Sequence, residues 1–126
     1  MMQLRGQEKI STKYGDALQE FSDDALNVKN YIDEGGDLYR GGKFGRSDTT
    51  DAQFWAPESP HTPGYGYKYG VDFDDLDYVI GGKLKDGQQF ITRPAPGLDN
   101  NAGGAIEVVT NPNAVKLDFF HMPQRR

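Results

Sequence analysis

Glycine and proline are so frequent in this chain, sixteen and seven of its 126 residues, that long regular elements have little room to form. Glycine admits backbone angles closed to other residues, and proline fixes one angle and removes a hydrogen-bond donor, so both punctuate a chain. Their spread predicts a loop-rich fold of short elements joined by tight turns rather than a helical bundle. The length suits one domain with a single modest core.

Charge and composition narrow the function classes. A formal net charge of −5 argues against a surface built mainly to grip phosphate backbones, although a local cationic site remains compatible with it. The absence of cysteine removes disulfides, thiolate chemistry and Cys-based zinc sites. No run of about 18 apolar residues and no amino-terminal signal pattern is present, so a soluble chain with no membrane partner is expected.

Residues 1–15 are expected to be a flexible leader and residues 16–126 a single domain. Leu18, Phe21, Ala25, Val28 and Ile32 recur at three- and four-residue steps, which predicts an amphipathic helix with Asp16 as N-cap and Gly35-Gly36 as its stop. Short strands are then expected at Asp37 to Arg40, Ala52 to Ala56, Tyr78 to Ile80, Lys83 to Lys85, Gln88 to Arg93, Ile106 to Val109 and Val115 to Phe120. Thr62-Pro63 suggests the start of a short helix through the tyrosine-rich segment that follows. The fold class is therefore α+β, an N-terminal helix plus a twisted, mainly antiparallel, short-stranded β core.

Two apparent motifs fail on spacing. Glycines 64, 66 and 70 do not match the dinucleotide fingerprint. Asp72, Asp74, Asp75 and Asp77 lack the glycine and the closing glutamate of a calcium loop. Glu107 is more informative, because it stands among Ile106, Val108 and Val109, and apolar residues on both faces suggest a strand covered on both sides. Such a carboxylate either reaches water at the strand edge or is held in a cleft for a purpose. Arg40, followed by Gly41 and Gly42, could present its planar fork to a phosphate or carboxylate, or serve as a surface ion-pair partner. The aromatic cluster Tyr65, Tyr67 and Tyr69 could stack on a flat ring or serve core and rim packing.

The order of these pieces resembles a known family. A helix, a strand ending Leu38-Tyr-Arg-Gly41, an aromatic strand with a short Tyr-containing helix (52–70) and a loop into a Glu-bearing strand (97–109) are similar to the arginine–serine–glutamate group of mono-ADP-ribosyltransferases. More narrowly, Ala52-Gln-Phe-Trp55, His61-Thr-Pro-Gly-Tyr65, Phe90-Ile-Thr-Arg-Pro-Ala-Pro-Gly97 and Gly103-Gly-Ala-Ile-Glu-Val-Val109 resemble the carboxy-terminal modules of bacterial polymorphic toxins. The likeness spans roughly residues 36 to 122.

The resemblance implies an ADP-ribosyltransferase-like fold and NAD+ as co-substrate, with no metal. It implies that Arg40 grips the NAD phosphate, that the Gly41 amide sits by the nicotinamide carboxamide, and that Glu107 holds the ribose hydroxyl beside the bond being broken. Tyr39, Phe54, Trp55, Tyr65 and Tyr69 would complete the NAD site. It further implies delivery as the C-terminal part of a larger secreted toxin and action in the cytoplasm of a target bacterium. The macromolecular acceptor would be a protein or RNA of the translation machinery, such as elongation factor Tu or ribosomal RNA, and a cognate immunity protein would protect the producer.

Two departures stand out. Ala105 occupies the place where arginine-modifying members carry Gln or Glu, and residues 52–56 offer none of the hydroxyls of the family's serine–threonine–serine strand, leaving Ser47, Thr49, Thr50 and Ser59 as candidates for that contact. Other classes stay open: an NAD glycohydrolase toxin, a metal-independent ribonuclease toxin using His61 and His121 with Arg93 or Lys116 on the phosphate, and a non-enzymatic binding module.

Overall fold

The computed structural model describes residues 8–42, 52–60, 63–69, 77–97 and 102–121. Within them the chain is a small α+β protein with one main helix and antiparallel sheets. A hairpin of β1 (Lys9–Thr12) and β2 (Gly15–Leu18) precedes helix α1 (Asp23–Asp33). Then come β3 (Leu38–Gly42), β4 (Phe54–Trp55), the one-turn helix α2 (Tyr65–Tyr69), β5 (Tyr78–Leu84), β6 (Phe90–Pro94), β7 (Ile106–Thr110) and β8 (Val115–His121).

Strands β3, β5 and β8 form one three-stranded sheet in that order, and β4, β7 and β6 form another. Among the described residues one antiparallel bridge joins them, in which Tyr39 and Ala56 exchange both backbone hydrogen bonds at 2.8 Å. Pairing does not continue to Arg40 and Trp55, so β3 and β4 part just beyond the bridge. That parting opens the cleft described below.

β7 is central in its sheet and covered on both faces. Val108 packs into the main core with Ile32 of α1, Leu38, Trp55, Tyr78, Ile80 and Phe90. On the opposite face Val109 packs with Ile10 and Ala17 of the hairpin and Ile91 of β6. The hairpin is thus the second cover of β7, and residues 9–15 are not the loose leader expected of them. Their polarity misled because only Ile10 and Ala17 turn inward, the minimum a two-stranded cover needs.

The helix also starts later than its apolar spacing predicts. Leu18 and Phe21 fit a helical stripe yet are exposed, whereas Ala17 and Gln19 are buried at strand period. Asp16 belongs to β2, and Ser22 is the N-cap, its side chain accepting from the Ala25 amide. Asp23 and Asp24 follow in the first turn, where negative charge suits the helix dipole.

A buried polar knot fastens β2 to β6. Gln19 Nε2 donates to the Thr92 hydroxyl at 2.7 Å, Gln19 Oε1 accepts from the Thr92 amide at 3.1 Å, and the Thr92 hydroxyl donates to the Ala25 carbonyl at 2.7 Å. β5, expected as two strands broken at Gly81-Gly82, is one strand with an irregularity there. The glycines serve close approach rather than a break: a Cβ on Gly82 would run into the Lys116 backbone of β8.

Candidate functional site

The cleft at the parted strands is lined by Arg40, Gly41, Phe54, Trp55, Ala56, Tyr65, Tyr69 and Glu107. Arg40 comes from β3, Phe54 and Trp55 from β4, the two tyrosines from α2 and Glu107 from β7. Its volume is about 130 Å³, close to the engineered apolar cavity of about 150 Å³ that takes a benzene ring. One flat ring fits such a space.

Arg40 crosses the gap that the missing ladder leaves. Its Nη1 donates to the Phe54 carbonyl at 3.3 Å, and its guanidinium carbon lies 5.9 Å from the centre of the Trp55 ring. Trp55 is itself fixed, buried and donating from Nε1 to the Ala52 carbonyl at 3.2 Å. The cation is therefore set against a rigid aromatic wall rather than carried on a free side chain.

Helix α2 is too short to stand by its own propensity. It is held because the Tyr67 and Lys68 carbonyls accept from the Gly103 amide at 2.8 Å and the Ala105 amide at 3.1 Å. Lys68 also pairs with Glu58 at 2.6 Å. Tyr65 and Tyr69, four residues apart, share one face with ring centres 4.6 Å apart. Burial pushes both phenols well above their ordinary value, so both stay protonated in neutral solution.

The same bonds tie the loop ahead of β7 in place. Gly104 donates to the Ala95 carbonyl at 2.8 Å, and Ala95 donates to the Ala105 carbonyl at 2.8 Å. Gly103 sits at φ +74° with backbone so near that a Cβ would strike the Ala95 carbonyl and Pro96. Only glycine serves there. Helix, loop and strand thus form one unit that presents Glu107.

Glu107 is 8% exposed. Its register partner on β6 is Arg93, whose Nε donates to Glu107 Oε2 at 2.9 Å. Burial pushes the Glu107 carboxyl above the usual carboxylate range, and the hydrogen bond and positive charge of Arg93 pull it partly back. Glu107 is therefore not a strand-edge carboxylate in water but a buried one that lines the cleft and pairs with Arg93.

The structure brings together most of the residues named from the sequence and separates the others. Arg40, Gly41, Phe54, Trp55, Tyr65, Tyr69 and Glu107 share the cleft. Tyr39 does not: neighbours on a strand point to opposite sides, and its ring lies edge-on to Phe119, 6.3 Å between centres, beside Gly81. Ser59 lines that other hollow with Tyr39, Gly82 and Asp118. Ser47, Thr49, Thr50 and His61 lie outside the described residues. His121 ends β8, with β5 between it and β3.

The residue that sequence reasoning missed as the carboxylate's partner is Arg93. Its signal was an opposite charge on a neighbouring apolar strand, but the register that brings the two together is a non-local pairing of β6 with β7. Among the described residues no group of three or more His, Cys, Asp or Glu side chains could hold a metal ion. Comparisons with protein-family models, with curated proteins and with solved structures found no match.

Proposed function

We propose that the chain is an NAD-dependent mono-ADP-ribosyltransferase toxin domain with an ADP-ribosyltransferase-like fold. One observation carries this reading: a cation, a carboxylate and four aromatic side chains from four separate elements line one ring-sized cleft. The residues fit the co-substrate. Arg40, beside the open Gly41 backbone, would hold a phosphate, and the walls of Phe54, Trp55, Tyr65 and Tyr69 would hold the nicotinamide ring. When nicotinamide leaves, positive charge develops on the ribose, and the Glu107 carboxylate is the group here able to stabilise it. Burial keeps both tyrosine hydroxyls protonated, and that of Tyr69 donates to Glu58.

In this reading the acceptor is a protein or RNA of the translation machinery of a target bacterium, reached by delivery within a larger toxin, and an immunity protein covers the cleft in the producer. Incubation with labelled NAD and target-cell lysate is expected to label one macromolecule, and Glu107→Ala to abolish the labelling. Arg40→Ala is expected to raise the KM for NAD roughly ten- to hundredfold, the worth of a hydrogen bond to a charged group. Free ADP-ribose as the sole product would make the protein an NAD glycohydrolase. Folded protein that leaves NAD intact would overturn the proposal.

A further inference from the structure

We propose that Arg93 is a positioning residue of this site, holding Glu107 by one oxygen so that the other faces the cleft; the inference rests on the reading above. Arg93 Nε donates to Oε2 at 2.9 Å. Glu107 lines the cleft, and among the described residues no hydrogen bond other than that of Arg93 reaches its carboxylate, which leaves Oε1 for a ligand. The two residues are register partners on β6 and β7, so their side chains leave the sheet on the same face.

The guanidinium is fixed from a second side. Its carbon lies 5.9 Å from the centre of the Phe54 ring, which belongs to the cleft wall. Phe54 pairs with Val109 on β7, two residues from Glu107, and so shares the face that carries the pair. Arg93 therefore sets the carboxylate and an aromatic wall together, from outside the cleft it shapes.

A buried carboxylate that must stabilise positive charge has to be ionised, and its burial opposes that. Arg93 supplies the opposing charge. The other titratable and charged groups around Glu107 are Tyr65 and Tyr69 of α2, Arg40 of β3, and Glu58 with its partner Lys68 behind the tyrosines. β4 brings only Phe54 and Trp55 to the cleft. No second cation stands at hydrogen-bond distance from Glu107 among the described residues, so the loss of Arg93 is not covered by a neighbour.

The test is Arg93→Gln, with Arg93→Lys as a variant that keeps charge but loses the planar Nε donor. Carboxyl-carbon NMR of Glu107 is expected to show its titration moving up by about 1–3 pH units in Arg93→Gln and by less in Arg93→Lys. With NAD present, the acid limb of the turnover profile should move by the same amount. Turnover should fall while the KM for NAD stays within about twofold, because Arg93 touches the carboxylate and not the ligand.

An unmoved titration overturns the inference, and so does equal or higher turnover in Arg93→Gln, which would make the pair a mask instead of a support. The NMR arm needs no NAD. A wild-type protein that leaves NAD intact fails the functional reading on which the proposal rests, whereas an active enzyme whose Glu107 titrates alike in all three proteins fails Arg93 alone.

Discussion

β7 and β8 are both short apolar strands with charges among their hydrophobic residues, and the fold treats them oppositely. In β7 four of five residues are buried, Glu107 among them; in β8 only Val115 is, while Phe119 and Phe120 stand 42% and 55% exposed. Composition does not separate them. Position does, because β7 lies between β4 and β6 with α1 and the hairpin on its faces, whereas β8 is the outer strand of its sheet. A charge in β8, such as Lys116 or Asp118, meets water. A charge in β7 needs a partner, and Arg93 of β6 is that partner.

That contrast breaks most sharply under one substitution made twice. Val108→Asp would bury a second carboxylate in the main core with no cation opposite, a cost of several kcal/mol against a total stability of about 5–15 kcal/mol for a domain. Loss of the cooperative urea transition is expected. Phe119→Asp in β8 should keep that transition, with a change on the order of 1 kcal/mol from the lost edge contact with Tyr39. Similar losses at both sites would mean that β8 is as enclosed as β7.

A smaller effect tests how the covers of β7 are fastened. Thr92→Val keeps the shape of a fully buried side chain but leaves the Ala25 carbonyl without its 2.7 Å donor and Gln19 Nε2 without the Thr92 hydroxyl. Gln19 Nε2 keeps the Glu20 and Thr92 carbonyls, so the cost is that of the lost hydrogen bonds, about 0.5–1.5 kcal/mol each, read as a lower urea midpoint with the slope unchanged. Faster amide exchange in β1 and β2 should accompany it, because the knot is what ties the hairpin down. Unchanged exchange there would show that Ile10 and Ala17 hold the hairpin by packing alone.

Much of this was legible in the sequence, for identifiable reasons. The mixed apolar run 106–109 fixes a doubly covered strand without any knowledge of what covers it, and Arg40 with its glycines and the aromatic residues 54–69 are local patterns. What stayed hidden is non-local. The hairpin at residues 9–18 buries too few side chains to show a period, and Leu18 and Phe21 mimic a helical stripe that the fold exposes. Tyr39, which the resemblance implies for the NAD site, lies instead against Phe119, a contact made across the sheet. The Arg93–Glu107 register is a pairing of two strands apart in sequence, and no local pattern encodes it.

The finest test of the contrast is the pH dependence of stability, because it asks what the charge in β7 costs. Glu107 has its carboxyl raised in the folded state by burial, more than Arg93 lowers it. A raised carboxyl is protonated more readily folded than unfolded, so its favourable contribution is present below the ordinary value near 4.5 and is lost as pH rises through the folded value. Glu107→Gln, neutral at every pH, should lack that slope. Arg93, 28% exposed at its side chain, keeps contact with water and can still donate to the amide oxygen. At neutral pH the variant should unfold at a urea concentration equal to or above that of the wild type, the gap closing on acidification, while NAD-dependent labelling is lost. A variant less stable at neutral pH would reverse the balance, showing that the pairing outweighs the cost of burial and that the carboxylate is held for the fold as much as for the cleft.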